Sequence, residues 1–199
     1  VILKGFHKWG ELISSKLNGM FSFAIYDADS QEIFCSRDRL GVKPFYYSWQ
    51  NGFFEICSQL RPISENKKIN KQAISIYLDC TYIPSPYTIF ENVFKLEPGK
   101  NMKINLVTSE INIFQYWDLV KVEKCKMSYE EAKKELHELL IDSVKIRLQS
   151  DVPFGAFLSG GIDSSAIVGL MSKVSTEKVK TFSVTFDESE FSESKYAQL

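Results

Sequence analysis

No two of the four cysteines, Cys35, Cys57, Cys80 and Cys125, stand close in the chain; their spacings are 22, 23 and 45. That excludes a zinc site built on closely paired cysteines and leaves free thiols in a reducing compartment as the reading. No apolar run is long enough to span a bilayer, and no charged start with an apolar core marks a signal peptide. No Asn-x-Ser/Thr acceptor occurs. A cytoplasmic protein without a membrane partner is therefore expected. Positive charge is not in excess: 24 Lys and Arg stand against 25 Asp and Glu, a formal net charge of −1. Nucleic acid is not an expected partner, and the pair Lys67-Lys68 reads as a solvated loop. Only two histidines are present, His7 and His137, each alone on a helix-like stretch, where surface or satisfied side chains are the expectation. No initiating methionine leads the chain, and Val1 to Leu17 already reads as the middle of an amphipathic helix without an N-cap. Leu199 lies inside a second helix-like stretch from Glu193, so both ends are expected to be incomplete.

What is there is an ordinary globular balance, 44% apolar and 25% charged over 199 residues. After the first helix, Asn18-Gly19 supplies a turn. Met20 to Tyr26, Glu32 to Ser36, Phe45 to Trp49 and Phe53 to Cys57 are short Phe-, Ile- and Tyr-rich runs separated by turn residues, the pattern of an antiparallel meander. Asn70 is placed to cap a helix to about Asp79. Tyr82 to Tyr87 is extended because of Pro84 and Pro86, and Met102 to Val107 with Ile111 to Tyr116 forms a hairpin. From Ser128 the character changes. Ser128 and Glu131 form a capping box for a helix to about Gln149. A strand over Val152 to Leu158, a Gly-rich turn, a helix from Ser164 to Val174 and a strand over Lys180 to Phe186 follow. The fold class is thus α+β followed by α/β, divided into residues 1–62, a connector 63–124, and residues 125–199.

The Gly-rich turn carries the chemistry. In Phe157-Leu158-Ser159-Gly160-Gly161-Ile162-Asp163-Ser164-Ser165, two glycines let the backbone turn and approach a ligand closely. The N–H groups opening the next helix face an anion there, and the helix dipole favours it. Ser159 and Ser164 can donate to phosphate oxygens. Asp163 repels phosphate, so it makes sense as a Mg²⁺ partner or as a helix-start charge. Gly155 and Gly160 have the spacing of Gly-x-x-x-x-Gly-Lys-Ser/Thr, but Gly161-Ile162 stands where Lys-Ser/Thr is required. A serine-capped glycine turn without a ligand is the bland alternative; the full Ser-Gly-Gly-x-Asp-Ser string behind an apolar strand argues against it.

That string resembles the loop of enzymes that split ATP between its α and β phosphates. Its setting from Arg147 to Ser165, together with Thr181 to Phe186 and Phe191 to Ala197, resembles glutamine-hydrolysing asparagine synthetases. Leu17 to Asp27, Arg37 to Tyr47 and Tyr116-Trp117-Asp118-Leu119 resemble the same family, in order. The resemblance implies the later part of an N-terminal-nucleophile glutaminase sandwich over residues 1–62, then the start of a parallel-sheet ATP-pyrophosphatase domain. It implies a C–N bond-forming ligase. Glutamine supplies ammonia at one site; at the other, aspartate attacks the α-phosphate of ATP, giving β-aspartyl-AMP and pyrophosphate. Ammonia then yields asparagine and AMP. ATP and Mg²⁺ are the implied cofactors, aspartate, glutamine and ATP the implied small-molecule partners, and a homodimer the expected assembly.

Residue by residue, the resemblance places ATP at Leu158, Ser159, Gly160, Gly161, Asp163, Ser164 and Val184, with Asp163 as the metal partner. Strand core is the alternative for Leu158 and Val184. The family's nucleophilic cysteine is its own mature N-terminus. None of the four cysteines here stands there, so no catalytic glutaminase residue and no glutaminase activity is expected of the chain alone. Arg37, Asp38 and Arg39 read as scaffold rather than catalysis. Gln59 departs from the family's usual Glu. Two alternatives stay open: a relative that amidates another carboxylate, such as a sugar acid or a β-lactam precursor, and a non-catalytic nucleotide-binding paralogue. Intact Asp163 and both serines argue against the latter.

Overall fold

A computed structural model describes residues 1–50, 52–65, 67–119, 124, 126–188 and 192–197. Cys125, Phe191 and the end of the expected last helix at Gln198 and Leu199 lie outside the described residues, as does Asn51 of the expected turn before Gly52. The chain divides into two compact units, Val1–Val122 and Glu123–Leu199.

In the first unit the expected opening helix is broken. Helix α1 (Ile2–Trp9) stops where Gly10 turns to φ +55°, a 3₁₀ turn spans Gly10–Leu12, and α2 (Ile13–Lys16) follows. A positive φ cannot continue a right-handed helix, and glycine adopts it without a Cβ clash. Strands β1 (Ser22–Asp27), β2 (Glu32–Arg37), β3 (Tyr46–Gln50) and β4 (Phe53–Cys57) form on the Phe-, Ile- and Tyr-rich runs that predict them. Then come α3 (Leu60–Ile63), α4 (Lys71–Cys80), β5 (Val93–Lys95), β6 (Lys100–Asn105) and β7 (Ile111–Gln115). Asn70 caps α4 as expected, its side chain accepting from the N–H groups of Gln72 and Ala73.

The four early strands are not one meander. β1 and β2 belong to a sheet of order β1-β2-β6-β7, whereas β3 and β4 belong to another of order β4-β3-β5. All these pairings are antiparallel. Residues 93–115, expected inside a connector, pair into both sheets, because β6 covers the free edge of β2 and β5 covers that of β3. Cys35 faces Met102 across one ladder. With Ile104, Tyr47, Phe45 and Leu96 they form a core fed by both sheets. The opposite face of the first sheet receives the opening helices: the Phe6 and Phe34 rings lie 5.1 Å apart, and Ser14, Ser36 and Asn101 join in a buried polar cluster with Oγ···Oγ and Oγ···Oδ1 distances of 2.8 Å.

In the second unit, α5 (Tyr129–Arg147) carries the expected capping box between Ser128 and Glu131. Strands β8 (Ala156–Phe157) and β9 (Thr181–Phe182) pair in parallel and flank α6 (Ile162–Val174); α7 (Ser194–Ala197) closes the described chain. Both strands are shorter than expected. Upstream, Pro153 has no N–H for a ladder. Downstream, the Ser183 hydroxyl bonds the Leu158 carbonyl at 2.6 Å. Val144, Leu170 and Met171 pack α5 on α6. Among the described residues, no helix is long and apolar enough to cross a membrane.

Candidate functional site

The loop between β8 and α6 is assembled from its own polar atoms. Gly160 has φ +77°, and Gly161 is the extended residue before the helix, at φ −70° and ψ 162°. Helix α6 begins when the Ser165 N–H reaches the Gly161 carbonyl at 3.0 Å. The earlier N–H groups of its first turn have no partner within the helix, and no side chain caps them. They form the positive end of a 13-residue dipole. Ser159 and Ser164 meet Oγ to Oγ at 3.0 Å, and the Ser159 N–H donates to Ser164 Oγ at 3.3 Å. The Gly161 N–H donates to Ser159 Oγ at 3.3 Å. The two hydroxyls therefore face each other across the turn, close enough for one anion to bridge them.

Leu158 is held beneath this turn. Its N–H donates to the Phe182 carbonyl at 2.8 Å, and it is half-buried. Val184 is 64% exposed and lies beyond the ladder, so strand core does not describe it. Asp163 stands exposed in the first turn of α6. Among the described residues, no three His, Cys, Asp or Glu side chains cluster into a metal cage. Mg²⁺ needs only one or two carboxylates when phosphate and water fill its other positions. A single carboxylate beside a turn of open N–H groups and hydroxyls fits a cation that arrives with a polyphosphate, and does not fit a protein-only cage.

Two neighbours of the loop escaped the sequence reading. A Cβ on Gly155 would lie 2.6 Å from the Phe182 ring and 2.7 Å from the Lys180 carbonyl oxygen, so a side chain there would push β8 off β9. A Cβ on Gly160 would lie 2.4 Å from Tyr196 Cβ. Spacing signals a glycine's freedom to turn, but not what leans against it. Two grooves lie away from the loop: one of about 780 Å³ between α1 and β1, and one of about 560 Å³ lined by residues such as Leu148, Pro153 and Val179.

In the first unit the charged run is structural. The Asp38 carboxylate is 2% exposed. It accepts from the N–H groups of Leu40, Val42 and Lys43 at 3.2, 2.9 and 2.9 Å. Arg37 donates from Nε to the Lys43 carbonyl and from Nη2 to the Gly41 carbonyl, both at 2.8 Å, and from Nη1 to the Leu96 carbonyl. Burial draws its pKa below the usual guanidinium value, with Asp38 acting against that. Arg39 reaches back to the carbonyls of Leu17 and Ser15. The Tyr116 hydroxyl donates to the Arg37 carbonyl at 2.8 Å, and burial raises its pKa to about 12, so the proton stays in place. All three charges bind backbone.

Residues 1–117 match the family model described as a glutamine amidotransferase domain, and residues 135–199 match that described as asparagine synthase. A protein of Methanocaldococcus jannaschii, provisionally named a glutamine-hydrolysing asparagine synthetase, is 44% identical over 209 residues, covering 100% of this chain and 40% of its own length. The glutamine-hydrolysing asparagine synthetase 1 of Bacillus subtilis is 36% identical, covering 97% of this chain and 30% of its own. A protein of Gibberella zeae named Amidase chry2 is 28% identical, with 94% and 30% covered. The chain thus spans well under half the length of these relatives.

Proposed function

The chain belongs to the glutamine amidotransferase domain family and continues into an asparagine synthase domain, and from that premise we propose that it is part of an ATP-dependent, glutamine-hydrolysing asparagine synthetase. The observation that carries this is the turn at Ser159 to Ser164. It presents two facing hydroxyls and the open N–H groups of α6 to one anion, at a helix N-terminus.

In this reading Ser159, Gly160, Gly161 and Ser164 hold the pyrophosphate of ATP. Leu158 and Val184 border its nucleoside part. Asp163 would hold Mg²⁺, which supplies charge neutralisation of the phosphates when bound. The substrates are aspartate, glutamine and ATP. A carboxylate oxygen is a poor leaving group, and adenylation makes it a good one. The chain's own part is to fix the departing pyrophosphate by donors already in position, which lowers the barrier without reorganisation. Residues before about 124 serve the glutamine side, and residues from 125 serve the ATP side.

The test is aspartate-dependent pyrophosphate release by the intact protein. Asp163→Ala is expected to abolish it, and unchanged release would sink the assignment. A second reading, amidation of a different carboxylate, stays open because one relative, named Amidase chry2, is not named for asparagine synthesis. A panel of carboxylic acids in the same assay separates the two: release with another acid but not with aspartate favours the second.

A further inference from the structure

We propose that the turn Ser194–Ala197 is a strap that holds the phosphate loop in its anion-binding shape, with Tyr196 as a positioning residue. The inference rests on the reading of the loop as the ATP site and adds to it a residue that the motif itself does not contain. The two segments are some 36 positions apart in sequence, yet they touch backbone to backbone. A Cβ on Gly160 would meet Tyr196 Cβ at 2.4 Å, its carbonyl carbon at 2.5 Å and its carbonyl oxygen at 2.7 Å. Gly160 is also the residue at φ +77°, the hinge of the turn. The chain at Tyr196 therefore stands where any drift of the hinge toward it would have to go. The strap is itself fixed by a turn of its own, the Tyr196 and Ala197 N–H groups donating to the Glu193 carbonyl at 2.9 and 3.2 Å. A loop that works by pre-placed donors needs such backing, because misplacement by about 1 Å can cost a hundredfold in rate. The contact uses only Cβ and main-chain atoms, so the phenol ring is not what does the positioning.

The experiment uses the intact protein. Tyr196→Pro removes the N–H that closes the strap and disfavours the helical region at Lys195. The KM for ATP is expected to rise about tenfold or more, while the core amides of α5 and α6 around Val144, Leu170 and Met171 keep their exchange protection, which reports an intact second unit. Tyr196→Ala keeps every contacting atom and is expected to leave the ATP KM within about twofold of the parent. Hydrogen exchange on the unmutated protein provides an independent measure: added ATP with Mg²⁺ should slow exchange at the Tyr196 and Ala197 amides together with the loop amides. If ATP slows the loop and not the strap, or if Tyr196→Pro leaves the ATP KM unchanged, the strap proposal is overturned and the ATP site stands. If ATP slows neither, the reading of the loop itself fails.

Discussion

Replacing Asp38 should unfold the first unit at markedly lower denaturant. Its carboxylate accepts three backbone N–H groups while almost fully buried. A hydrogen bond to a charged group contributes about 1.5–3 kcal/mol. Three would sum to more than a loop can lose, since the turn relaxes and water enters once the carboxylate is gone. The low end, about 4 kcal/mol for Asp38→Ala, is the reasoned figure. Asp38→Asn keeps an oxygen for Leu40 and Val42 but turns an amide toward the Lys43 N–H; one unsatisfied donor pair costs about 1–3 kcal/mol. Trp9, Trp49 and Trp117, all the tryptophans of the chain, lie in the first unit. Their fluorescence in urea therefore reports this unit alone. With a slope of about 2 kcal/mol per molar, the midpoint should fall by about 2 M for alanine and by about half that for asparagine. A shift below about 0.5 M for Asp38→Ala, or asparagine falling further than alanine, would refute the account of the carboxylate as the pin of this loop.

Burial raises the Cys35 thiol to about 12 from its ordinary 9.0. In native protein at pH 8, alkylation followed by peptide mass mapping should label the exposed Cys80 and spare Cys35. The same shift has a sign for stability. The folded state keeps the proton and the unfolded state releases it above about 9, so stability is intact below that pH and falls between about 9 and 12; a stability curve flat across that range would contradict it. At acid pH the opposite holds for α5. Hydrogen bonds from the Ser128 side chain and backbone hold Glu131 below the usual glutamate range. The capping box is therefore present above that range and lost as pH falls through the lowered value, and Ser128→Ala, which removes the hydroxyl but keeps the backbone N–H, should weaken the pH dependence of protection against exchange at the first-turn amides of α5; an unchanged dependence would contradict it.

What was legible in the sequence was local. Asn70 and the Ser128/Glu131 pair declare their helix starts within three residues, because the bonds they make are that short. The shape of the Gly-rich turn was legible for the same reason: its donors, its hinge and its helix start fit inside six residues. What was not legible depends on distant partners. Nothing between Glu32 and Gln50 says that β2 and β3 take different neighbours, since both are short apolar runs bounded by turn residues; the choice is made by β6 and β5, about 45–70 residues later. The break at Gly10 was hidden because apolar periodicity runs on through Ile13 and Leu17, while the turn is set by one φ. The backbone partners of Arg37 and Asp38, from Leu40 to Leu96, were not legible either, because the fold and not the spacing brings them together. The contact of Tyr196 on Gly160 was invisible for the same reason.

The pairing of β2 with β6 and of β3 with β5 also sets a timetable for synthesis. When residue 92 has left the ribosome, both hairpins, β1–β2 and β3–β4, exist in sequence, yet the sides of β2 and β3 that β6 and β5 will cover stand open, over half a core. Met102, Ile104 and Leu96, which complete that core, have not yet emerged. The nascent unit must therefore hold two sticky edges apart until residues 93–105 emerge and cover them, the interval in which an unfinished sheet is most exposed to pairing with a neighbouring chain.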